Sequence, residues 1–105
     1  MVYVSNAFSL QMLSADATIK VASASIEEVK KLLNTNGFVS AVGHADTANV
    51  ISNILNMDIA NNRINVSLNK NDALIVAQVV GGRLSEGATT LPEGVKIEFK
   101  LVTIV

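Results

Sequence analysis

Cysteine is absent from this 105-residue chain, which excludes disulfides, zinc–thiolate sites and cysteine nucleophiles together. A chain without thiols fits a reducing cytoplasm, and that is the expected location. Charge is scarce too: 16% of the residues are Asp, Glu, Lys or Arg, well under the share in an average soluble domain. The formal net charge is −1, and the only arginines are Arg63 and Arg83. Gripping a long duplex takes clustered Lys and Arg that neutralise phosphates and release counterions. Duplex nucleic acid is therefore not an expected partner, whereas a small ligand carrying few phosphates stays open. Long hydrophobic runs are missing as well. The longest, Ala73–Ala77 resuming at Val79–Val80, falls far short of the ~20 residues a spanning helix needs, so no membrane partner is expected. Met1–Phe8 shows neither a basic leader nor a long apolar core, so no signal peptide is expected. The sequence contains no Walker loop and no GxGxxG. His44 is the only histidine, which would leave a metal site to one imidazole and scattered carboxylates. No metal or cofactor is expected, and no Ser-His-Asp triad follows from the spacing.

Apolar side chains, by contrast, are plentiful, at half of all residues. A chain of this length makes one domain, spanning 1–105, and buries roughly two-thirds of the surface that its unfolded state exposes. The apolar surplus points to a subunit interface, and a two-fold homodimer is its commonest form.

Local patterns give the element order. Val2–Ser5 is β-branched and apolar and reads as a strand. Leu10, Met12 and Leu13 follow at near-helical spacing, then Thr18–Ala22 reads as a second short strand. Ser25 and Glu28 form a capping box. The helix after it, Ile26 to about Asn34, puts Ile26, Val29, Leu32 and Leu33 on one face, and Asn36-Gly37 closes it. Phe38–Val42 is short and apolar. Gly43-His44-Ala45-Asp46-Thr47 opens a second helix, roughly Ala45–Leu55, with Val50, Ile51, Ile54 and Leu55 buried and Asp46 as its N-cap candidate. Asn61–Leu68 alternates and reads as a half-buried strand led by Arg63. Asn69–Asp72 is a polar hairpin-type link into the buried strand Ala73–Val80. Ala88–Gly94 is a turn region around the single proline, Pro92, and Val95–Val105 is a closing alternating strand. Together these predict an α/β (α+β) single domain with a mixed five-stranded sheet flanked by helices.

Three segments carry the candidate chemistry. His44 stands at a helix start, where unpaired N–H groups and a partial positive charge attract anions. Histidine is also the side chain best suited to proton transfer near neutral pH. The ordinary alternative is a satisfied core or surface histidine. Arg83-Leu84-Ser85-Glu86-Gly87 follows a Gly-Gly strand end at the rim of a sheet, and the alternative there is a solvated loop pair. Arg63 presents the same case more weakly. Ser5-Asn6-Ala7-Phe8-Ser9 offers small polar groups after a strand, or else an ordinary Asx or Ser turn.

In combination and in order, these segments resemble a known family. The opening strand into Asn6-Ala7-Phe8-Ser9, the Gly43-His44 helix start with Thr47, Asn62-Arg63 and Arg83-Leu84-x-Glu86-Gly87 are similar to motifs of the small ring nucleases of archaeal viruses and phages, the type III anti-CRISPR proteins. The resemblance implies a viral protein, a homodimer that binds cyclic tetra-adenylate and cuts it without metal into linear di-adenylates, shutting down type III CRISPR signalling. It implies His44, Arg83 and Glu86 as catalytic residues. It implies Asn6, Ser9, Gln11, Thr47, Arg63 and Gln78 as ligand-binding residues. Two features depart from the family: Asp46 stands where a small hydroxyl residue is usual, and Gly81-Gly82 with the short Ala88–Gly94 turn alters the loop over the site. The competing expectations are a non-catalytic cyclic-nucleotide sponge and a dimeric regulatory protein without a nucleotide ligand.

Overall fold

A computed structural model describes all residues, 1–105. Five strands form one sheet: β1 (Val2–Ser5), β2 (Ile19–Ala24), β3 (Val39–Ser40), β4 (Ala73–Val80) and β5 (Lys96–Ile104), in the order β2-β5-β4-β1-β3. β1 runs parallel to β3 and β4, while β5 is antiparallel to both β4 and β2. The sheet is therefore mixed, as expected. A single 3-10 turn covers Leu10–Met12.

Two helices, α1 (Ile26–Asn36) and α2 (Ala45–Leu55), lie on one face of the sheet. α1 starts because Ser25 and Glu28 satisfy each other's backbone N–H groups, both at 3.1 Å. Ser25 also holds the Glu28 carboxyl below the usual carboxylate range, chiefly through its backbone N–H and secondarily through its side chain. α1 stops at Gly37, whose φ of 68° suits glycine. There the Gly37 N–H donates to the Leu33 carbonyl at 2.9 Å, and the Asn36 side-chain amide donates to the Leu32 carbonyl at 2.9 Å. Val29 and Leu33 of α1 meet Ile51 and Leu55 of α2 over Val4, Ile75 and Phe99. Ile26, expected inside, is 41% exposed.

The opposite face of the sheet carries a second cluster in which Leu74, Val76 and Val102 pack with Ala41, Val66 and Leu68. Here the structure corrects one sequence expectation. Asn61–Leu68 is not a strand: it meets its neighbours only at the single bridges Val42↔Asn61 and Leu13↔Leu68. Val66 and Leu68 are buried while Ile64 is 42% exposed. The alternation thus arises from a segment lying over the sheet face with every second side chain turned in. Phe38–Val42 likewise supplies only the two-residue β3, and the second strand runs to Ala24 rather than Ala22.

Candidate functional site

The carboxyl ends of the three parallel strands point the same way, and each delivers a candidate residue. Asn6 follows β1, Gly43-His44 follows β3, and Gly81-Gly82 releases the Arg83–Glu86 segment after β4. Asn6 Oδ1 accepts the Gly43 N–H at 3.3 Å, which ties the first of these ends to the second. Arg63 comes to the same place although its segment is no strand. The Asn62 N–H donates to the Val42 carbonyl at 2.8 Å and its side-chain amide to the Ser40 carbonyl at 2.7 Å. Held this way, the Arg63 side chain lies along Gly43, where a Cβ would sit 3.4 Å from Arg63 Cγ. The small glycine leaves room for that close approach.

His44, not Asp46, is the N-cap of α2, with extended backbone and no side-chain capping bond. The first-turn N–H groups are therefore free of any capping side chain, and the helix end keeps its partial positive charge. The His44 side chain is 63% exposed. Asp46 sits inside the first turn instead. Its Oδ1 accepts the Gly87 N–H at 2.9 Å, and its Oδ2 lies 4.0 Å from His44 Nδ1. A carboxylate that was expected to cap the helix reaches across to the loop, because its side chain is largely buried beneath that loop.

The loop from Gly81 to Gly94 is held at several points. At its base a Cβ on Gly81, whose φ is 93°, would collide with the Gly94 carbonyl oxygen, so only glycine lets the two ends close. Its tip turns through the Ala88 N–H to Ser85 carbonyl bond of 3.0 Å. Further on, the Asn53 side-chain amide bonds the Thr89 carbonyl. Arg83 and Glu86 project from this loop and are exposed. The ion pairs of the chain join the N-terminus to Asp72 and Lys96 to Glu98, and the one carboxylate near His44 is that of Asp46. Both arginines are thus uncommitted.

The remaining expected residues divide. Gln78 lies on the open face of β4 and lines a cavity of about 400 Å³ with Asn6, Phe8, Val21 and Lys100. Ser9 and Gln11 line a separate depression with Ile64, the residue after Arg63, and Ser9 Oγ accepts the Gln11 N–H at 3.3 Å. Thr47 is set back from the surface, at 7% exposure. Sequence reasoning did not find the bond from Asp46 to the loop, nor Lys100 beside Gln78. The first carries no local signal, since it joins residues 41 apart. No three His, Asp or Glu side chains converge where a metal ion could be held, and no helix is long and apolar enough to cross a membrane.

Residues 2–101 match the STIV B116-like family model. The chain is 36% identical over 88 residues to uncharacterized protein 26 of Sulfolobus islandicus filamentous virus (isolate Iceland/Hveragerdi), covering 83% of this chain and 74% of that protein. It is 33% identical over 87 residues to uncharacterized protein ORF117 of Acidianus two-tailed virus, covering 81% and 74%. Among solved structures it is similar to B116 of Sulfolobus turreted icosahedral virus, with a TM-score of 0.81, 28% identity and 97% of each chain covered.

Proposed function

The chain belongs to the STIV B116-like family, whose matched members are small archaeal-virus proteins, and we propose that it is a metal-independent ring nuclease acting on cyclic tetra-adenylate as a homodimer. One observation carries the proposal. The sole histidine, an uncommitted arginine and an uncapped helix N-terminus meet at the ends of three parallel strands. That combination suits a phosphodiester.

RNA needs no external nucleophile for this cleavage. The ribose 2′-oxygen attacks the adjacent phosphorus in line, the bond from phosphorus to O5′ breaks, and a 2′,3′-cyclic phosphate forms. The 2′-OH proton leaves to solvent, and protonated His44 gives a proton to O5′. Arg63, Arg83 and the first-turn N–H groups of α2 stabilise charge on the phosphoryl oxygens. Because nucleophile and phosphorus belong to one molecule, positioning supplies much of the acceleration. Glu86, next to the residue that meets Asp46, orients the loop side of the site. Two cuts on opposite sides of the ring yield linear di-adenylates, which ends type III CRISPR signalling.

The dimer supplies two copies of Arg63 and Arg83 to a ligand with four phosphates and two-fold symmetry. Exposed Val21 and Ile64 each line one of the two cavities described above, which supports a second copy as their cover. A second reading, a sponge that holds the ring without cutting it, is favoured by one observation: no hydrogen bond orients the His44 ring. Incubation with cyclic tetra-adenylate in EDTA, followed by chromatography of the products, tests the proposal. Di-adenylates ending in a 2′,3′-cyclic phosphate are expected. An intact ring at high protein concentration refutes cleavage. A retained thermal shift then identifies the sponge, and no shift at all leaves a dimeric regulatory protein.

A further inference from the structure

We infer that Asp46 is a positioning residue that clamps the Gly81–Gly94 loop onto α2 and so sets where Arg83 and Glu86 stand relative to His44. The inference rests on the site described above and on the proposed use of His44, Arg83 and Glu86.

A first-turn aspartate is often explained by the helix dipole alone, and such a side chain needs only to be charged and near the helix end. Asp46 does more than that. Its side chain is 14% exposed, with one oxygen taken up by the Gly87 N–H and the other facing the His44 ring. The loop is shaped to meet it. Gly87 has a φ of 78°, yet nothing lies within 4 Å of where its Cβ would be. Glycine is therefore required there for backbone direction and not for space, and that direction brings its N–H to Asp46. A second attachment lies two helical turns further along the same face of α2, where Asn53 holds the Thr89 carbonyl. The base is closed by Gly81 against Gly94.

Of these attachments, the bond from Gly87 to Asp46 is the one that ties the residue after Glu86 to a residue two from His44. One carboxylate thus touches both halves of the site. Removing it leaves the loop anchored at its base and at Thr89 but free at the segment that bears Arg83 and Glu86.

Asp46→Asn and Asp46→Ala separate the parts of this role. Asparagine keeps an oxygen that accepts the Gly87 N–H but presents no negative charge to His44, whereas alanine keeps neither. Amide hydrogen exchange on the ligand-free protein reads the clamp directly. In Asp46→Ala the Gly87 amide exchanges about tenfold faster or more, while in Asp46→Asn it stays near the parent rate. Single-turnover cleavage of cyclic tetra-adenylate reads the consequence. Asp46→Ala weakens binding and slows the cut, and Asp46→Asn recovers the binding without the full rate. Equal acceleration of Gly87 exchange in both variants overturns the inference, and so does no acceleration in either. The exchange result stands apart from catalysis: a parent protein that leaves the ring intact refutes the nuclease proposal, while Gly87 still decides the clamp.

Discussion

Replacing His44 with alanine separates chemistry from folding unusually well. The side chain is 63% exposed, it caps nothing, and its one charged neighbour is 4.0 Å away. Neither histidine nor alanine is a strong N-cap, so the stability change stays within about 0.5 kcal/mol. With an unfolding entropy of about 2.1 cal/mol/K per residue, that energy moves Tm by about 2 °C in a domain of this length. The rate is another matter. Loss of a general acid costs about 10²- to 10⁴-fold, or about 2.7–5.4 kcal/mol in the barrier. Ligand binding, carried by the arginines and the helix N–H groups, changes little. The assay is single-turnover cleavage of cyclic tetra-adenylate with protein in excess and EDTA present, run beside a calorimetric melt of the same preparation. Cleavage at the parent rate refutes the assignment of His44. A fall in Tm well beyond the expected range would show that the side chain supports the fold.

Further outcomes follow from the packing. Ile51 is fully buried between α2 and the sheet, so Ile51→Ala costs about 3–4 kcal/mol and lowers Tm by about 15 °C in a calorimetric scan. Gly81→Ala places a Cβ against the Gly94 carbonyl at a positive φ, which strains the loop base by about 2 kcal/mol or expels it. Limited proteolysis between residues 82 and 94 should accelerate, and unchanged cleavage would contradict the close approach. Arg83→Ala should weaken both binding and cleavage, and loss of neither removes it from the site. Glu28 has its carboxyl held below the usual range by Ser25. Its contribution to stability is therefore present above the ordinary carboxylate range and disappears as the pH falls through its lowered value. Acid unfolding of Glu28→Gln should lack that increment, so its stability should converge with the parent's at low pH.

How far the sequence disclosed this molecule depends on how local each signal is. Ser25 and Glu28 are three residues apart and their box forms as read. The helix Ala45–Leu55 is delimited as expected, because its apolar period and its exit at Asn56, with a left-handed φ of 51°, are both short-range features. Asn61–Leu68 misled because alternation reports one-sided burial, and a loop draped over a sheet face has that as surely as a strand does. The site shows the same division. Asn6 is legible after a strand, His44 at a helix start and Arg63 at the head of an alternating segment, and the structure gathers them around Gly43. Thr47, a binding position by the resemblance, is set back in the first turn of the helix at 7% exposure. The place of Asp46 was not legible at all, since its partner is set by where the loop returns and not by any neighbouring residue.

The way α1 ends also bears on how the chain ages. Asn36-Gly37 is a pair prone to deamidation, in which the glycine nitrogen attacks the asparagine side-chain carbon, ammonia departs, and the resulting succinimide opens to aspartate or isoaspartate. Asparagine is for this reason among the residues that heat damages first. In the folded chain the Gly37 N–H is given to Leu33 and the Asn36 amide to Leu32, so nucleophile and leaving group are both occupied. Deamidation then requires the last turn of α1 to open. Isoaspartate at position 36, followed by mass spectrometry during storage at elevated temperature, becomes a chemical clock that counts how often that turn unwinds.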